Sequence, residues 1–174
     1  GVETRDYQLW KSMLCRCYDV SYSNKNPTYK DCTVSDNFKY FHYFKEWCHR
    51  QIGFDQEGWH LDKDILVKGN KVYSEDVCAF VPSEVNSLLT KRDSLRGDCP
   101  VGVSYKPRIN RYIAQIRKFK KVINLGYFST PEEAFNAYKE AKEAYIKSLA
   151  EKWKDKIDPR VYEALMKYRV EITD

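Results

Sequence analysis

The first part of the chain contains two segments with the 3.6-residue period of an amphipathic helix, separated by a polar segment. A helix is predicted over residues 7–18, because apolar residues recur there at helical spacing. These are Trp10, Met13, Leu14 and Cys17. Residues 19–37 are rich in Ser, Asn, Asp, Pro and Tyr, and this composition predicts a loop. A second helix is predicted after Ser35, a suitable N-cap, with a buried stripe of aromatic residues: Phe38, Phe41, Phe44 and Trp47.

The middle of the chain changes to the shorter patterns of strands. Residues 59–66 alternate apolar and charged positions, as a half-buried strand does, and residues 67–73 predict a turn. A short apolar strand is predicted at residues 78–81, and a helix begins at residues 82–84 with a proline near its first turn. The predicted order is strand, loop, strand, helix. Residues 92–100 supply the turn residues of a linker.

The last part of the chain carries three further strand patterns and then long helical ones. The strands are predicted over residues 102–104, 112–116 and 122–128. A basic hairpin at residues 117–121 joins the second of them to the third. Residues 129–133 are a good helix start, because they combine a capping hydroxyl, an early proline and acidic residues in the first turn. That helix can extend to Trp153, and residues 158–159 begin a last helix.

The positive charge is concentrated in the second part of the chain. Residues 1–95 hold 13 Lys and Arg against 14 Asp and Glu, whereas residues 96–174 hold 17 against 11. No acidic residue lies between Asp98 and Glu132. The cations of that stretch are Lys106, Arg108, Arg111, Arg117, Lys118, Lys120 and Lys121. A basic stretch without acidic partners suits a polyanion, because each cation near a phosphate releases condensed counterions.

The length of the apolar segments and the spacing of the cysteines bear on where the protein is located and on whether it binds a metal. No segment approaches the roughly 20 apolar residues of a membrane span, and no signal-peptide pattern opens the chain, so we expect a cytoplasmic protein without a membrane partner. The six cysteines include no CxxC pair, and we expect buried, reduced thiols. The alternative is a metal site formed by Cys15, Cys17, Cys32, Cys48 and His49.

A long ordered motif occupies residues 125–138, Leu-Gly-Tyr-Phe-Ser-Thr-Pro-Glu-Glu-Ala-Phe-Asn-Ala-Tyr. It is preceded by Gly102-Val103 and by residues 112–117, Tyr-Ile-Ala-Gln-Ile-Arg. Together these motifs resemble the DNA-binding domain of the plant ethylene-response-factor (Apetala) family. The family has a Gly-Val opening, a Trp-Ala-Ala-Glu-Ile-Arg strand and a Leu-Gly-x-Phe-x-Thr-x-Glu-Glu-Ala-x-x-Ala-Tyr signature. Similar modules also occur in phage and bacterial mobile endonucleases.

The resemblance implies a three-stranded sheet that lies in the major groove of duplex DNA while a helix packs behind it. Family contact positions fall on Tyr112, Gln115 and Arg117, although alternation places Gln115 and Arg117 on one strand face with Ile113, and Tyr112 on the other. Arginine suits guanine or phosphate, glutamine an adenine edge, and lysine phosphates. The predicted DNA-binding residues are Lys106, Arg108, Arg111, Tyr112, Gln115, Arg117, Lys118, Lys120, Lys121 and Asn124. Asn124 and Tyr112 stand where the family has tryptophan, so the sequence preference of the plant proteins is not expected.

A second pattern lies in the N-terminal part. Residues 61–65, Leu-Asp-Lys-Asp-Ile, are followed by residues 69–71, Gly-Asn-Lys, and then by the apolar segment 78–81. Within the predicted strand, loop, strand, helix order, this pattern resembles the ββα-metal core of HNH endonucleases. In that family a divalent ion polarises the scissile phosphate and a base activates water.

The resemblance implies Mg²⁺ or Mn²⁺ as cofactor, with Asp62, Asp64 and Asn86 as ligands. The histidine that serves as base in the family is absent here. Its place falls on Lys63 or Asp64, depending on the alignment, and His60 is an alternative if the register shifts. The predicted catalytic residues are therefore Lys63, Asp64 and Asp62, since a lysine beside a metal can stabilise the charge on phosphorus or act as a base.

The predicted fold class is α+β. A helical N-terminal region with an HNH-like ββα-metal core forms a domain over residues 1–95, and a three-stranded antiparallel sheet packed on a helix forms a domain over residues 96–174. The predicted function is double-stranded DNA binding by a metal-dependent homing or nicking endonuclease of phage type, in the cytoplasm of a bacterial host cell. The alternative is a catalytically inactive DNA-binding regulator or anti-defence protein.

Overall fold

The structure is a computed structural model that describes residues 3–89, 98–118, 121–172 and 174. Its α-helices are α1 Arg5–Tyr18, α2 Val20–Lys25, α3 Phe41–His49, α4 Ser83–Asn86, α5 Pro131–Trp153 and α6 Pro159–Lys167. Its strands are β1 Thr33–Val34, β2 Trp59–Asp62, β3 Val72–Tyr73, β4 Ala79–Pro82, β5 Val103–Lys106, β6 Arg111–Lys118 and β7 Lys121–Phe128. Within the described residues, no helix has the length and apolar character needed to span a bilayer.

The chain forms two compact units. The first comprises Gly1–Asn86 with Lys154–Ala164, and the second comprises Ser87–Trp153 with Leu165–Asp174. The segment Lys154–Ala164 thus differs from its predicted place in the second domain. A contact explains the difference, because the Arg160 guanidinium donates to the backbone carbonyl of Asp76 at 3.1 Å. The predicted boundary near residue 95 lies outside the described residues.

The core of the first unit is aromatic, and three of the four residues of the predicted stripe belong to it, whereas Phe41 is only half-buried. Phe38, Phe44 and Trp47 are buried, and the Phe38 ring packs edge-on against both of the other rings at 5.1 and 4.8 Å. The helix is shorter than predicted, because residues 37–39 form a separate 3-10 turn and α3 begins only at Phe41. The Ser35 hydroxyl accepts from the backbone N–H of Phe38, so it caps this turn rather than the α-helix.

The segment 19–37 is more ordered than the predicted loop. The Asp19 carboxylate accepts from the backbone N–H of Tyr22 at 2.9 Å and caps the short helix α2. Further along, β1 pairs in parallel with β3. The composition of the segment indicated a loop because a two-residue strand that pairs with a distant part of the chain leaves no local pattern.

Strands β2 and β4 form an antiparallel pair, and the short helix α4 follows directly. The predicted strand over residues 59–66 ends at Asp62, whose carboxylate accepts from the backbone N–H groups of Asp64 and Ile65 at 2.9 and 2.7 Å. These bonds turn the chain away from the sheet. Pro82 is the last residue of β4 rather than part of the first helical turn.

The second unit contains an antiparallel sheet in the order β5-β6-β7, with α5 packed against it. Helix α5 begins with the predicted capping arrangement. The Thr130 hydroxyl accepts from the backbone N–H of Glu133 at 3.2 Å, and the Glu133 carboxylate accepts from those of Ser129 and Thr130. The three predicted strands and the helix start are therefore confirmed.

Candidate nucleic-acid interface

The two faces of the β5-β6-β7 sheet follow from its register. Ala114 pairs with Val103 on one side and with Gly126 on the other, and paired residues of an antiparallel sheet share a face. Val103 and Ala114 are buried, and so is Ile116, which lies two residues further along the same strand face. We call this side, on which α5 packs, the inner face.

A close approach between the sheet and α5 is visible at Gly102. Its φ is +75°, and a Cβ atom there would lie about 2.1 Å from the Tyr138 ring of α5. A side chain larger than hydrogen would thus be strained by the backbone and would also overlap the helix. Glycine at this position lets the helix lie directly on the sheet and keeps the strands at a fixed orientation to it.

The opposite side of the sheet is the outer face. By alternation and cross-strand pairing it carries Ser104, Lys106, Arg111, Ile113, Gln115, Arg117, Val122, Asn124 and Tyr127. Most of these side chains are exposed. Gln115 is half-buried, and Ile113 is only 3% exposed and offers little surface to a ligand. The face therefore combines cations, amides and a few apolar groups, without a carboxylate.

The cations of the outer face and of the adjacent turn have no ionic partner in the part of the chain that the structure describes. Lys106 and Arg111 pair across β5 and β6, and Arg108 lies between them in a 3-10 turn. Arg117 lies at the other end of β6. All four are exposed, and none forms a salt bridge to a described residue. Uncompensated charge of one sign at both ends of a face produces a positive potential that attracts phosphates.

The predicted DNA-binding residues that the structure describes lie on both faces of the sheet. Lys106, Arg111, Gln115, Arg117 and Asn124 lie on the outer face, and Arg108 lies at its edge. Tyr112, Lys118 and Lys121 lie on the inner face by register. Lys120 lies outside the described residues.

Two of the inner-face residues have partners that explain their position. The Tyr112 ring packs on that of Tyr105 at 5.1 Å between centroids. The Lys118 ammonium lies 5.2 Å from the centroid of Tyr145 on α5. Alternation along β6 thus places Tyr112 on the opposite face of the sheet from Gln115 and Arg117.

A β-bulge changes the direction of the strand that carries Asn124. Gln115 pairs with Asn124 and Ala114 pairs with Gly126, so Leu125 has no partner on β6. Gly126 has a φ of +138°, which favours glycine, and its backbone N–H donates to Asn124 Oδ1 at 2.9 Å. The bulge therefore holds the Asn124 amide in place on the outer face.

Sequence reasoning missed two exposed apolar residues of the outer face, Val122 and Tyr127. Their side chains are 53% and 49% exposed. Val122 pairs with Arg117, and Tyr127 pairs with Ile113. Alternation along β7 would have found Val122, but the bulge shifts the alternation between Asn124 and Tyr127 and cannot be seen in the sequence alone.

The predicted metal ligands have other polar partners. One carboxylate oxygen of Asp62 accepts the two backbone N–H groups described above, and the Lys63 ammonium lies 3.2 Å from Asp64 Oδ2. Asn86 is the last residue of α4 and is half-buried. In the described ranges, no three His, Cys, Asp or Glu side chains form a group that could hold a metal ion. An ion bound by Asp62 and Asp64 would have to compete with these polar partners.

Lys63 is unusual among the lysines because it is only 6% exposed. Its ammonium donates to the Asn70 carbonyl at 3.0 Å and lies 5.8 Å from the centroid of the Tyr73 ring. Burial and the charge of Asp64 raise the pKa of Asp62 to about 6, although its bonds from the backbone act in the opposite direction. The cluster is therefore a half-buried polar turn around one buried ammonium group, in which each charge has a named partner.

The cysteine alternative has no geometric support either. Cys32, Cys48 and Cys78 are buried, while Cys15, Cys17 and Cys99 are half-buried, and all six are free thiols. Burial raises the pKa of Cys17 to about 11 and that of Cys48 to about 12. Thiols with such pKa values are poor nucleophiles near neutral pH, because the thiolate is the reactive form.

Comparisons with known proteins bear on the C-terminal part of the chain. Searches among curated proteins and among solved structures found no significant match. Residues 99–148, which include β5, β6, β7 and most of α5, match the family profile of the AP2 domain. The AP2 domain binds double-stranded DNA, and this match supports DNA binding by the C-terminal part of the chain.

Proposed function

We propose that this protein binds duplex DNA by placing the outer face of its β5-β6-β7 sheet in the major groove. The observation that carries the proposal is a face with exposed cations at both ends, which form no salt bridge to a described residue, and two amide side chains between them. Helix α5 packs against the other side of the sheet. A groove ligand would thus meet side chains suited both to phosphates and to base edges.

The dimensions of the sheet are compatible with this placement. The major groove of B-DNA is about 12 Å wide and admits a two-stranded ribbon, whose strands lie about 4.8 Å apart. Strands β6 and β7 are each eight residues long and form such a ribbon. In that orientation, Lys106, Arg108 and Arg111 at one end of the face would approach the phosphate backbone, and Arg117 at the other end would enter the groove.

The test is a titration of the full chain against a fluorescently labelled duplex at several salt concentrations. If Lys106, Arg108 and Arg111 contact phosphates, the logarithm of the binding constant falls with the logarithm of salt concentration with a slope of about −3. A slope near zero, or equal affinity for an uncharged polymer of the same length, would contradict the proposal.

A metal-dependent nuclease of phage type is the second candidate. The observation that favours it is that the antiparallel pair of β2 and β4 is followed directly by the helix α4. His60 and Asp62 lie on the same face of β2, and Asn86 lies at the end of α4. The His60 ring nitrogen lies 2.8 Å from the Ser83 hydroxyl at the start of that helix. The polar partners of Asp62 and Asp64 count against it, because an ion would have to displace them.

A plasmid-nicking assay distinguishes this candidate from a DNA-binding regulator or anti-defence protein without enzymatic activity. Supercoiled plasmid is incubated with Mg²⁺ or Mn²⁺ and with wild type, Asp62→Ala or Asn86→Ala protein, and a chelator serves as the control. If the protein is such a nuclease, only the wild type nicks the plasmid, and the chelator abolishes the nicking. If all three proteins behave alike, the enzymatic candidate fails and duplex binding remains.

A further inference from the structure

The centre of the outer face carries two amide side chains that are direct cross-strand neighbours, Gln115 on β6 and Asn124 on β7. We propose that Gln115, the member of this pair with a free side-chain donor and acceptor among the described residues, makes the protein select adenine at a fixed position of its duplex site. The inference rests on the proposed function, because it needs the outer face in the major groove. It concerns which sequence is bound, whereas the proposed function concerns whether duplex DNA is bound.

The two amides differ in how far they are held in place. Asn124 Oδ1 accepts from the Gly126 backbone N–H, so the bulge orients this amide and leaves its NH₂ group to donate outward. The Gln115 side chain forms no hydrogen bond to any described residue, whereas its backbone N–H donates to the Gly102 carbonyl at 2.8 Å. Gln115 is therefore fixed through its backbone and retains both a donor and an acceptor in its side chain.

This combination fits adenine better than the other bases. In the major groove adenine presents an acceptor, N7, beside a donor, the N6 amino group, and one amide matches both. Guanine presents two acceptors and suits Arg117, which lies two residues from Gln115 on the same strand face. Asn124, as an oriented donor, suits any neighbouring base that presents an acceptor and disfavours the amino group of cytosine.

The spacing along β6 matches the spacing of bases. Residues two apart on a strand are separated by about 6.6 Å, and two base steps of B-DNA span about 6.8 Å. Gln115 and Arg117 can therefore contact adenine and guanine with one base pair between them. Val122, which pairs with Arg117 and is 53% exposed, adds an apolar group at the same level that suits a thymine methyl.

The experiment is a selection of bound sequences from a library of randomised duplexes, carried out with the full chain as wild type, Gln115→Ala and Gln115→Glu. For wild type we expect one position at which adenine is enriched about 5- to 100-fold over other bases. In Gln115→Ala the enrichment of adenine is lost, but the preference for guanine two base steps away remains. Gln115→Glu has only acceptors and shifts the preference at that position from adenine to cytosine, whose N4 group donates.

A matched control is Tyr112→Phe, because Tyr112 lies on the inner face of the same strand and its substitution leaves the selected sequence unchanged. A selected site without an enriched adenine, or an adenine that persists in Gln115→Ala, overturns the inference while leaving duplex binding intact. If wild type retains no duplex at all, the proposed function itself fails. For each variant, a circular dichroism spectrum and a urea unfolding curve that match those of wild type establish that its sheet is folded.

Discussion

Arg117 and Lys118 are consecutive cations on β6 that point to opposite faces of the sheet. Arg117 pairs with Val122 on the outer face, whereas the Lys118 ammonium lies 5.2 Å from the centroid of the Tyr145 ring on the inner face. The sequence shows only two adjacent positive charges. The strand geometry leaves the first exposed on the outer face and places the second beside the helix that supports the sheet.

Substitution of these two residues tests which face contacts DNA. Arg117→Ala should weaken duplex binding by about 1–3 kcal/mol, because the outer face loses a cation. Lys118→Ala removes a charge of the same sign from the inner face. The duplex affinity and salt slope of this variant should therefore stay closer to those of wild type. Fluorescence anisotropy at several salt concentrations measures both. An equal effect of the two substitutions would show that the assignment of faces is wrong.

Gly102 should be far less tolerant of alanine than Gly69. The two residues have nearly equal φ angles, +75° and +79°, but a Cβ at Gly102 meets the Tyr138 ring whereas nothing lies within 4 Å of one at Gly69. Gly69→Ala should cost only the backbone strain, about 1–2 kcal/mol. Gly102→Ala should cost about 1–3 kcal/mol more, because the ring has to move. Urea unfolding of both variants gives the comparison, and equal losses would contradict the close approach of sheet and helix.

The stability of the second unit should rise with pH above about 8 because of Lys142. Its ammonium donates to the Leu88 carbonyl at 2.8 Å, and burial lowers its pKa from 10.5 to about 8. Between these two values the unfolded chain binds more protons at this group than the folded chain does, so the free energy of unfolding increases with pH.

Lys142→Met removes this group and should therefore lack the increase. The difference between wild type and variant in free energy of unfolding is measured by urea denaturation from pH 7 to pH 10. Lys139→Met, one turn earlier on the same helix, serves as the control. A difference between wild type and Lys142→Met that does not change over this range would contradict the prediction.

Thr130→Ala should destabilise the protein by about 1 kcal/mol, because the backbone N–H of Glu133 loses its acceptor at the start of α5. Thr130→Ser keeps the hydroxyl and should lie within a few tenths of a kcal/mol of wild type. Chemical denaturation measures both variants. Since α5 supports the sheet from its inner face, the alanine variant should retain its duplex affinity under conditions where it stays folded.

The local elements of the second unit were predictable from the sequence, and so were the charges that point to DNA. Alternation over residues 112–116 and the capping residues at 129–133 act through neighbours in the chain, and so they leave a pattern that can be read locally. The acid-free stretch before Glu132 likewise needs no structure to be seen. In the first unit the aromatic stripe from Phe38 to Trp47 predicted the core for the same reason.

What only the tertiary structure decided was the partner of each side chain. The bulge at Leu125 brings Asn124 beside Gln115, Lys118 lies over Tyr145, and Lys63 is buried against Asp64 rather than exposed. These relationships join residues through strand register, helix packing and burial. The sequence determined which groups are present and, in the second unit, which segments are strands or helices. The contacts that each group makes depend on segments that only folding brings together.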